Sequence, residues 1–294
     1  MKMFDPHIHM TSRTTDDYQA MSAAGVAVVV EPAFWMGQPR THVGTFEDYF
    51  LSLLGWERFR ASQFGIRHYC TLGLNPKETN NPDVADGVIA LLDTYLAKEG
   101  VVAVGEIGFD DETEAEEKYF LMQLELAVKH ELPVLVHTPH RDKKAGTLRS
   151  LAMIRESGIR DELVLVDHNT EETLPLVLDT GCWAGHSIYP DTKMDEARMV
   201  ALVKQYGHER IIINSAADWG VSDALKVPKT VEAMRRAGIA EASIRTIVWD
   251  NPLAFFAQSG RLDLEEAAAQ LRIDQRQAFE GNSVLRGQTP VVQD

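Results

Sequence analysis

Eight short apolar runs rich in β-branched residues recur along the chain, separated by longer stretches in which apolar residues have helical spacing. Runs of this length suit the strands of a buried parallel sheet, and the stretches between them suit connecting helices. The runs cover residues 3–9, 25–31, 66–74, 101–106, 132–137, 163–168, 182–188 and 210–214. Eight repeated βα units predict an α/β fold, a (β/α)₈ TIM barrel.

One domain accounts for most of the chain. No linker rich in Pro, Gly or Ser and no internal repeat interrupts the alternation up to residue 258, so residues 1–260 are predicted to form the barrel. The aromatic-rich stretch around residues 32–65 predicts a helical, lid-like insertion. Residues 261–294 predict a C-terminal helical extension and a tail. Either addition could shape substrate access or an oligomer contact.

The charge of the chain argues against nucleic acid as its main partner. A formal net charge of −15 and a pI near 5.1 repel polyanions at long range. The basic patch of Arg141, Lys143 and Lys144 is short. Cys70 and Cys182 form no CxxC pair, which indicates a reducing compartment, and no apolar run reaches the roughly 18 residues of a membrane span. We therefore expect a cytoplasmic protein with no membrane contact and with a small-molecule substrate.

The segment FDPHIHM brings two histidines close together near residue 1. Side chains alternate between the two faces of an extended strand, so Asp5, His7 and His9 are predicted to point one way and Ile8 the other. Two imidazoles on one strand face are a common arrangement of metal ligands. The segment therefore predicts one part of a metal site.

Other polar side chains recur at the carboxyl ends of the predicted strands, where a barrel of this kind carries its active site. These residues are Glu31, Asn75, Glu106, His137, His168 and, just beyond the eighth strand, Asp218. Imidazole nitrogens and carboxylate oxygens suit Zn²⁺, Mn²⁺ or similar ions, and a carboxylate can bridge two cations. We predict a divalent metal site here, and this set of ligands is compatible with two ions.

Several of these residues have an alternative structural role. Glu106 could form an ordinary salt bridge with Arg, and His137 or His168 could cap a neighbouring helix. His140 and Arg141, in HTPHRDKK, are predicted on the loop after the fifth strand. Surface exposure and substrate contact are equally good interpretations of that loop.

Four motifs in consistent order resemble those of the TatD-type branch of the amidohydrolase superfamily. DPHIHM (5–10) is similar to the family's first-strand DxHxH, and GEIGFD (105–110) to its strand-four GEIGLD. LPVLVHTPHR (132–141) is similar to its strand-five LPVxxHxR, and NPLAFF (251–256) resembles the closing NPxxxF. The resemblance extends over residues 1–258 and implies an amidohydrolase-like TIM barrel with metal-dependent hydrolase activity.

The resemblance also implies how the ligands are divided between two ions. They are His7, His9 and Asp218 for the first ion, His137 and His168 for the second, and Glu106 between the two. The chain departs from the family pattern at three strand ends. It has GLNP in place of GxHP, NSAADWG in place of ETDxP, and VDHNT in place of HCFSG. Because such positions contact substrate, the family's activity on DNA ends does not transfer directly.

The reaction expected of such a site is hydrolysis by a metal-activated water. Asp218 is predicted to orient the nucleophile and accept its proton, with Glu106 as the bridging carboxylate. His140 or Arg141 is predicted to stabilise charge on the leaving group or on a phosphoryl oxygen. The expected bond is a phosphoester, an ester or lactone, or an amide of a small molecule. A TatD-like 3′–5′ DNA exonuclease is one alternative, and a barrel that binds metal or ligand without turnover in a biosynthetic pathway is another.

Overall fold

The computed structural model describes residues 1–189 and 191–269, and eight parallel strands form its centre. The strands are β1 (Met3–Asp5), β2 (Val26–Pro32), β3 (Arg67–Leu72), β4 (Val101–Gly108), β5 (Val134–His137), β6 (Val164–Val166), β7 (Trp183–Ser187) and β8 (Ile211–Asn214). All eight fall within or close to the runs predicted from the sequence. The prediction of a (β/α)₈ barrel is confirmed.

Helices connect the strands and cover the outside of the barrel. The α-helices are α1 (Thr15–Ala24), α2 (Val43–Leu51), α3 (Arg58–Ser62), α4 (Pro82–Tyr95), α5 (Glu114–Lys129), α6 (Lys143–Ser157), α7 (Leu174–Leu178), α8 (Glu196–Tyr206), α9 (Lys226–Arg236), α10 (Glu241–Arg245), α11 (Asn251–Ala257) and α12 (Leu264–Ala268). Short 3₁₀ turns lie at Met10–Ser12, Pro76–Glu78 and Asp161–Leu163, and π-helical turns at Ser52–Glu57 and Thr246–Asp250.

The strands are ordered β1 to β8 in sequence order, and each pairs in parallel with the next. Two backbone hydrogen bonds then join the first and last strands beyond their ends. The amide of Ala216 donates to the carbonyl of His7 over 2.8 Å, and the amide of His9 donates to the carbonyl of Ala217 over 2.9 Å. The ring is therefore nearly closed, and all the carboxyl ends of the strands face one mouth.

Two apolar clusters separate the inside of the barrel from its outside. Strand residues such as Val29, Val136 and Ile213 pack with the helices in one cluster, whereas alternate residues fill the interior with α11 in the other. The Phe256 ring lies 5.9 Å from that of Phe4, near the start of β1. The NPLAFF segment therefore closes the end of the barrel opposite the mouth.

One local expectation for the first strand is wrong. β1 ends at Asp5, and that carboxylate does not line the mouth with His7 and His9. Its Oδ1 instead accepts hydrogen bonds from the backbone amides of Ser215 (3.2 Å) and His7 (3.4 Å). Asp5 thus links the chain after β8 to β1, because these two segments meet where the ring closes.

The stretch predicted as a lid-like insertion forms α2, a π turn and α3 after β2. Phe46 and Phe50 of α2 are fully buried, whereas Trp56 is exposed. The division of the chain into a barrel, an insertion and a C-terminal extension remains a prediction. Of the extension, α12 lies within the described residues, and the predicted tail beyond residue 269 lies outside them. No helix of the described ranges has the length and apolar character needed to span a bilayer.

Candidate metal centre

Five predicted ligands converge at the mouth of the barrel. They are His7 and His9 after β1, Glu106 in β4, His137 at the end of β5 and His168 after β6. All five are buried, with at most 6% of any residue exposed. Because these residues lie up to 161 positions apart in the sequence, only the parallel alignment of the strand ends brings them together.

Glu106 lies at the centre of this cluster. Its Oε1 is 3.0 Å from His137 Nδ1, 3.0 Å from His168 Nε2 and 3.7 Å from His7 Nε2. His7 Nε2 lies 3.1 Å from His9 Nε2, and His168 Nε2 lies 3.1 Å from His137 Nδ1. One carboxylate oxygen thus lies next to both histidine pairs. Ligand atoms of His7, Glu106 and His168 lie within 4.8 Å of one another, a compact group that could hold a metal ion.

The hydrogen bonds around the cluster fix which nitrogen of two rings faces Glu106. His7 Nδ1 donates to Asp167 Oδ2 over 2.6 Å. The Ser187 hydroxyl donates to Asn214 Oδ1, so it accepts at 2.7 Å from His168 Nδ1. In a neutral histidine that donates through Nδ1, Nε2 carries a lone pair. When both rings are neutral, as metal binding requires, their Nε2 lone pairs therefore lie close to a carboxylate oxygen.

Converging lone pairs and a carboxylate repel one another unless a cation lies among them. Burial, together with the charge of Lys193, holds the pKa of His168 well below its usual range, so this ring is neutral. Burial likewise lowers the pKa of His9, with a further contribution from His7. Neutral imidazole is the form that binds metal. The donor set of nitrogen and carboxylate oxygen, in which His9 Nδ1 is buried without a hydrogen-bond partner, fits a divalent cation.

Glu106 is held in its charged form by the surrounding residues. Burial raises the pKa of Glu106, but the positive charge of His137 and of His7 in their protonated forms, with the hydrogen bond to His137, outweighs burial and keeps this pKa well below the usual range of a carboxyl group. A bound cation would act in the same direction. Its second oxygen, Oε2, accepts a hydrogen bond from Asn75 Nδ2 over 3.0 Å. Asn75 is the residue that stands where the family pattern has histidine. Here it orients the central carboxylate.

The remaining predicted residues differ in their relation to the cluster. Asp218 lines the same cavity, and its Oδ1 accepts hydrogen bonds from Tyr189 Oη and the Gly220 amide, both over 2.8 Å. His140 also lines the cavity, with its ring centroid 5.8 Å from that of His137. Arg141 is exposed and does not line the cavity. Glu31, the second-strand candidate, lies elsewhere, with Oε2 2.8 Å from His68 Nε2.

Two residues near the cluster, Asp167 and Lys193, were not predicted from the sequence. Asp167 is fully buried and accepts from His7, from Asn214 Nδ2 and from the His168 amide. Asp167 directly precedes the predicted ligand His168, and this is the one sequence feature that could have indicated its role. Lys193 lines the cavity from the segment after β7. No motif marks Lys193, since its role depends on how that segment folds back over the mouth.

A cavity of ≈ 290 Å³ lies over the cluster. Its walls include Phe34, Trp35 and Trp219, and the Phe34 ring stacks on His9 with centroids 4.0 Å apart. A nearly closed (β/α)₈ barrel with a buried histidine and carboxylate cluster at its mouth defines the class of metal-dependent hydrolases of the amidohydrolase type.

Comparison with known proteins narrows this class. The chain belongs to the family described as TatD related DNase, whose model matches residues 4–257. It is 28% identical over 257 residues to an uncharacterized metal-dependent hydrolase of Methanocaldococcus jannaschii, covering 86% of this chain and 99% of that protein. The protein is therefore a metal-dependent hydrolase, and the resemblance noted in the sequence is confirmed.

Two solved structures show the same architecture. A TatD-like protein from Archaeoglobus fulgidus is 29% identical, with a TM-score of 0.73 over 86% of this chain and 99% of that chain. A phosphotriesterase homology protein from Escherichia coli, complexed with phosphate in its active site, is 15% identical, with a TM-score of 0.65 over 87% and 98% of the two chains. The second likeness supports the fold alone.

Proposed function

We propose that the protein hydrolyses a small molecule inside the cavity at the barrel mouth. A phosphoester is the favoured bond, with an ester, lactone or amide as the other candidates. The observation that carries the proposal is the cavity of ≈ 290 Å³ directly over the cluster, bounded by Phe34, Trp35 and Trp219. A space of this size, at the lower end of small-molecule sites, is matched to a compact substrate rather than to an extended polymer.

The proposal assigns the metal to the converging ligands. His7, His9, Glu106, His137 and His168 would hold divalent ions, two in number, with zinc or manganese suited to the nitrogen and oxygen donors. When bound, such ions supply Lewis acidity and lower the pKa of a coordinated water. Asp167 and Ser187 would keep the rings of His7 and His168 turned toward the ions.

The other residues of the cavity have separate tasks in this proposal. Asp218 would accept a proton from the attacking water, with Tyr189 fixing one carboxylate oxygen by its hydrogen bond. His140 would stabilise charge that develops on the leaving group. Arg141, exposed and outside the cavity, would need a substrate that extends beyond the mouth.

A TatD-like 3′–5′ DNA exonuclease is the second candidate, and the family description favours it. One feature of the cavity supports it as well. Trp219 lines the cavity and is 53% exposed, so its ring could stack on the terminal base of a strand. The net charge of −15 opposes capture of a long polyanion, which favours the small-molecule candidate.

One experiment separates the two candidates. Protein loaded with Zn²⁺ or Mn²⁺ is incubated with end-labelled single-stranded DNA and, in parallel, with a panel of small phosphoesters, lactones and amides. We expect metal-dependent turnover of a small phosphoester that is lost in Glu106→Gln. Efficient shortening of the DNA, also lost in Glu106→Gln, would replace the first proposal by the second. Metal binding with no turnover of any substrate would contradict both.

A further inference from the structure

Lys193 enters the cavity without an anionic partner. It is half-buried and lines the cavity, and its ammonium group forms no ion pair or hydrogen bond with any residue of the described ranges, although its backbone carbonyl accepts from Arg198. Its Nζ lies 5.2 Å from the centre of the Tyr189 ring. The other cavity lysine differs, since Lys77 Nζ lies 2.6 Å from Asp110 Oδ2. Lys193 is therefore the cation of this cavity that remains available to a ligand.

The backbone around Lys193 directs it over the cluster. The Tyr189 amide donates to the Met194 carbonyl over 3.0 Å, and the Met194 amide donates to the Ser187 carbonyl over 3.3 Å. These bonds fold the segment after β7 back on itself. Burial lowers the pKa of Lys193, while Glu106, Asp167 and Asp218 act in the opposite direction through their charge. The ammonium group is thus attracted by the negative charge of the cluster but forms an ion pair with none of these three carboxylates.

A second lysine reinforces the positive charge at this side of the mouth. Lys143 Nζ donates to the carbonyl and the hydroxyl of Thr138, over 3.1 and 2.9 Å, and has no carboxylate partner among the described residues. Burial, followed by the charge of Lys193, lowers the pKa of Lys143 to about 7. At that pKa the amine of Lys143 is about half protonated at neutral pH, and an anion bound nearby would favour its charged form.

The charges that line the cavity also favour an anionic ligand once metal is bound. Its lining contains two lysines, Lys77 and Lys193, and two carboxylates, Glu106 and Asp218. Because Lys77 is already paired with Asp110, one uncompensated positive charge of the lining faces two negative charges, and two divalent ions bound there would leave the cavity with net positive charge. A cavity of that charge favours an anionic ligand over a neutral one.

We propose that Lys193 binds an anionic oxygen of the substrate beside the bond that is cleaved, and so selects phosphate mono- or diesters over neutral esters and lactones. This inference rests on the proposed function of the cavity as the site of hydrolysis. Lys193 is then a specificity-determining residue. It lies in the segment after β7, whereas Phe34 and Trp35 lie in the segment after β2.

A matched pair of substrates tests the inference on metal-loaded enzyme. Bis(para-nitrophenyl) phosphate carries one negative charge, and its methyl ester is neutral with the same leaving group. We expect Lys193→Met to lower kcat/KM for the anionic ester by about 10- to 100-fold, the value of a charged hydrogen bond, and to leave the neutral ester within about twofold. Lys193→Arg should restore most of the loss. Lys204→Met, on the exposed face of α8, is the control and should change neither value.

A binding measurement separates this inference from the proposed function. Metal-loaded wild-type protein, Lys193→Met and Lys204→Met are titrated with inorganic phosphate by calorimetry. We expect binding by wild type and Lys204→Met, and at least about fivefold weaker binding by Lys193→Met. Absence of phosphate binding by wild type, equal affinity in Lys193→Met, or equal losses of kcat/KM for both esters would overturn the role of Lys193. If wild type hydrolyses neither ester, the proposed function fails while the phosphate titration still decides the role of Lys193.

Discussion

Nδ1 of His7 lies 2.6 Å from Oδ2 of Asp167, joining the first strand to the sixth across the barrel mouth. Asn214 Nδ2 donates to both oxygens of Asp167, each over 3.0 Å. Asn214 therefore holds the Asp167 carboxylate in the orientation in which it accepts from the His7 imidazole. A carboxylate on Nδ1 sets the tautomer, which leaves Nε2 of His7 facing Glu106 and His9 as a lone-pair donor.

The first prediction follows from this relationship. Asp167→Asn should weaken divalent metal binding by about 10- to 100-fold while the protein remains folded. The new amide removes the charge that orients His7, and its NH₂ group would face the NH₂ group of Asn214. The measurement is a competition with a chelator of known affinity, read as metal retained per chain.

Asp179→Asn provides the control, because Asp179 is exposed at the end of α7 and should leave the metal affinity unchanged. Circular dichroism of both variants should match wild type. Equal metal retention by Asp167→Asn and wild type would show that the imidazole of His7 does not depend on this carboxylate.

The second prediction concerns the two histidines after β1. His7→Ala combined with His9→Ala should abolish binding of at least one ion and leave the barrel folded. Both side chains are at the mouth, whereas the apolar interior lies below them and is not altered. Elemental analysis gives the metal content, and circular dichroism reports the fold. A folded double variant with full metal stoichiometry would place the metal elsewhere.

The third prediction separates proton transfer from metal binding. Asp218→Asn should lower kcat by at least about a hundredfold, the contribution of a general base, with a smaller loss of metal. Asparagine keeps an oxygen that can accept from Tyr189 and Gly220, as Asp218 Oδ1 does. It cannot take a proton from water. Turnover at the wild-type rate in this variant would assign the base to another carboxylate of the mouth.

The fold was predictable because its signal is local. Each buried strand of a parallel sheet is a short apolar run, so the sequence predicts all eight strands without any knowledge of their contacts. The positions at which the strands end were predicted less accurately. The first predicted run extends to residue 9, whereas β1 ends at Asp5. Pro6 lies just beyond that end and cannot donate to a ladder, which accounts for the early stop.

The ligands were predictable for the same reason, because histidines and glutamate at strand ends are visible in the sequence. The residues that orient them were not. Asp167 contacts His7 only because β6 lies across the mouth from β1, and no spacing in the sequence encodes that distance. Lys193 depends on a folded-back segment after β7. Contacts between distant strand ends require the three-dimensional structure, even when the strands themselves do not.

The last prediction concerns the closed end of the barrel. Phe256 of α11 is fully buried, and its ring lies 5.9 Å from Phe4 and 4.9 Å from Phe255. Phe256→Ala should lower the free energy of unfolding by about 3–5 kcal/mol, because it leaves a cavity among rigid strand side chains. The midpoint of urea unfolding measures the loss.

The metal content of folded Phe256→Ala should equal that of wild type, since the helix α11 lies at the end opposite the ligands. Leu121→Ala on α5 is the control, because Leu121 is 38% exposed and should change stability by no more than about 0.5 kcal/mol. If Phe256→Ala unfolded at the wild-type midpoint, α11 would not be the element that seals the barrel. A loss of metal at full stability would instead show that the two ends are coupled through the interior side chains.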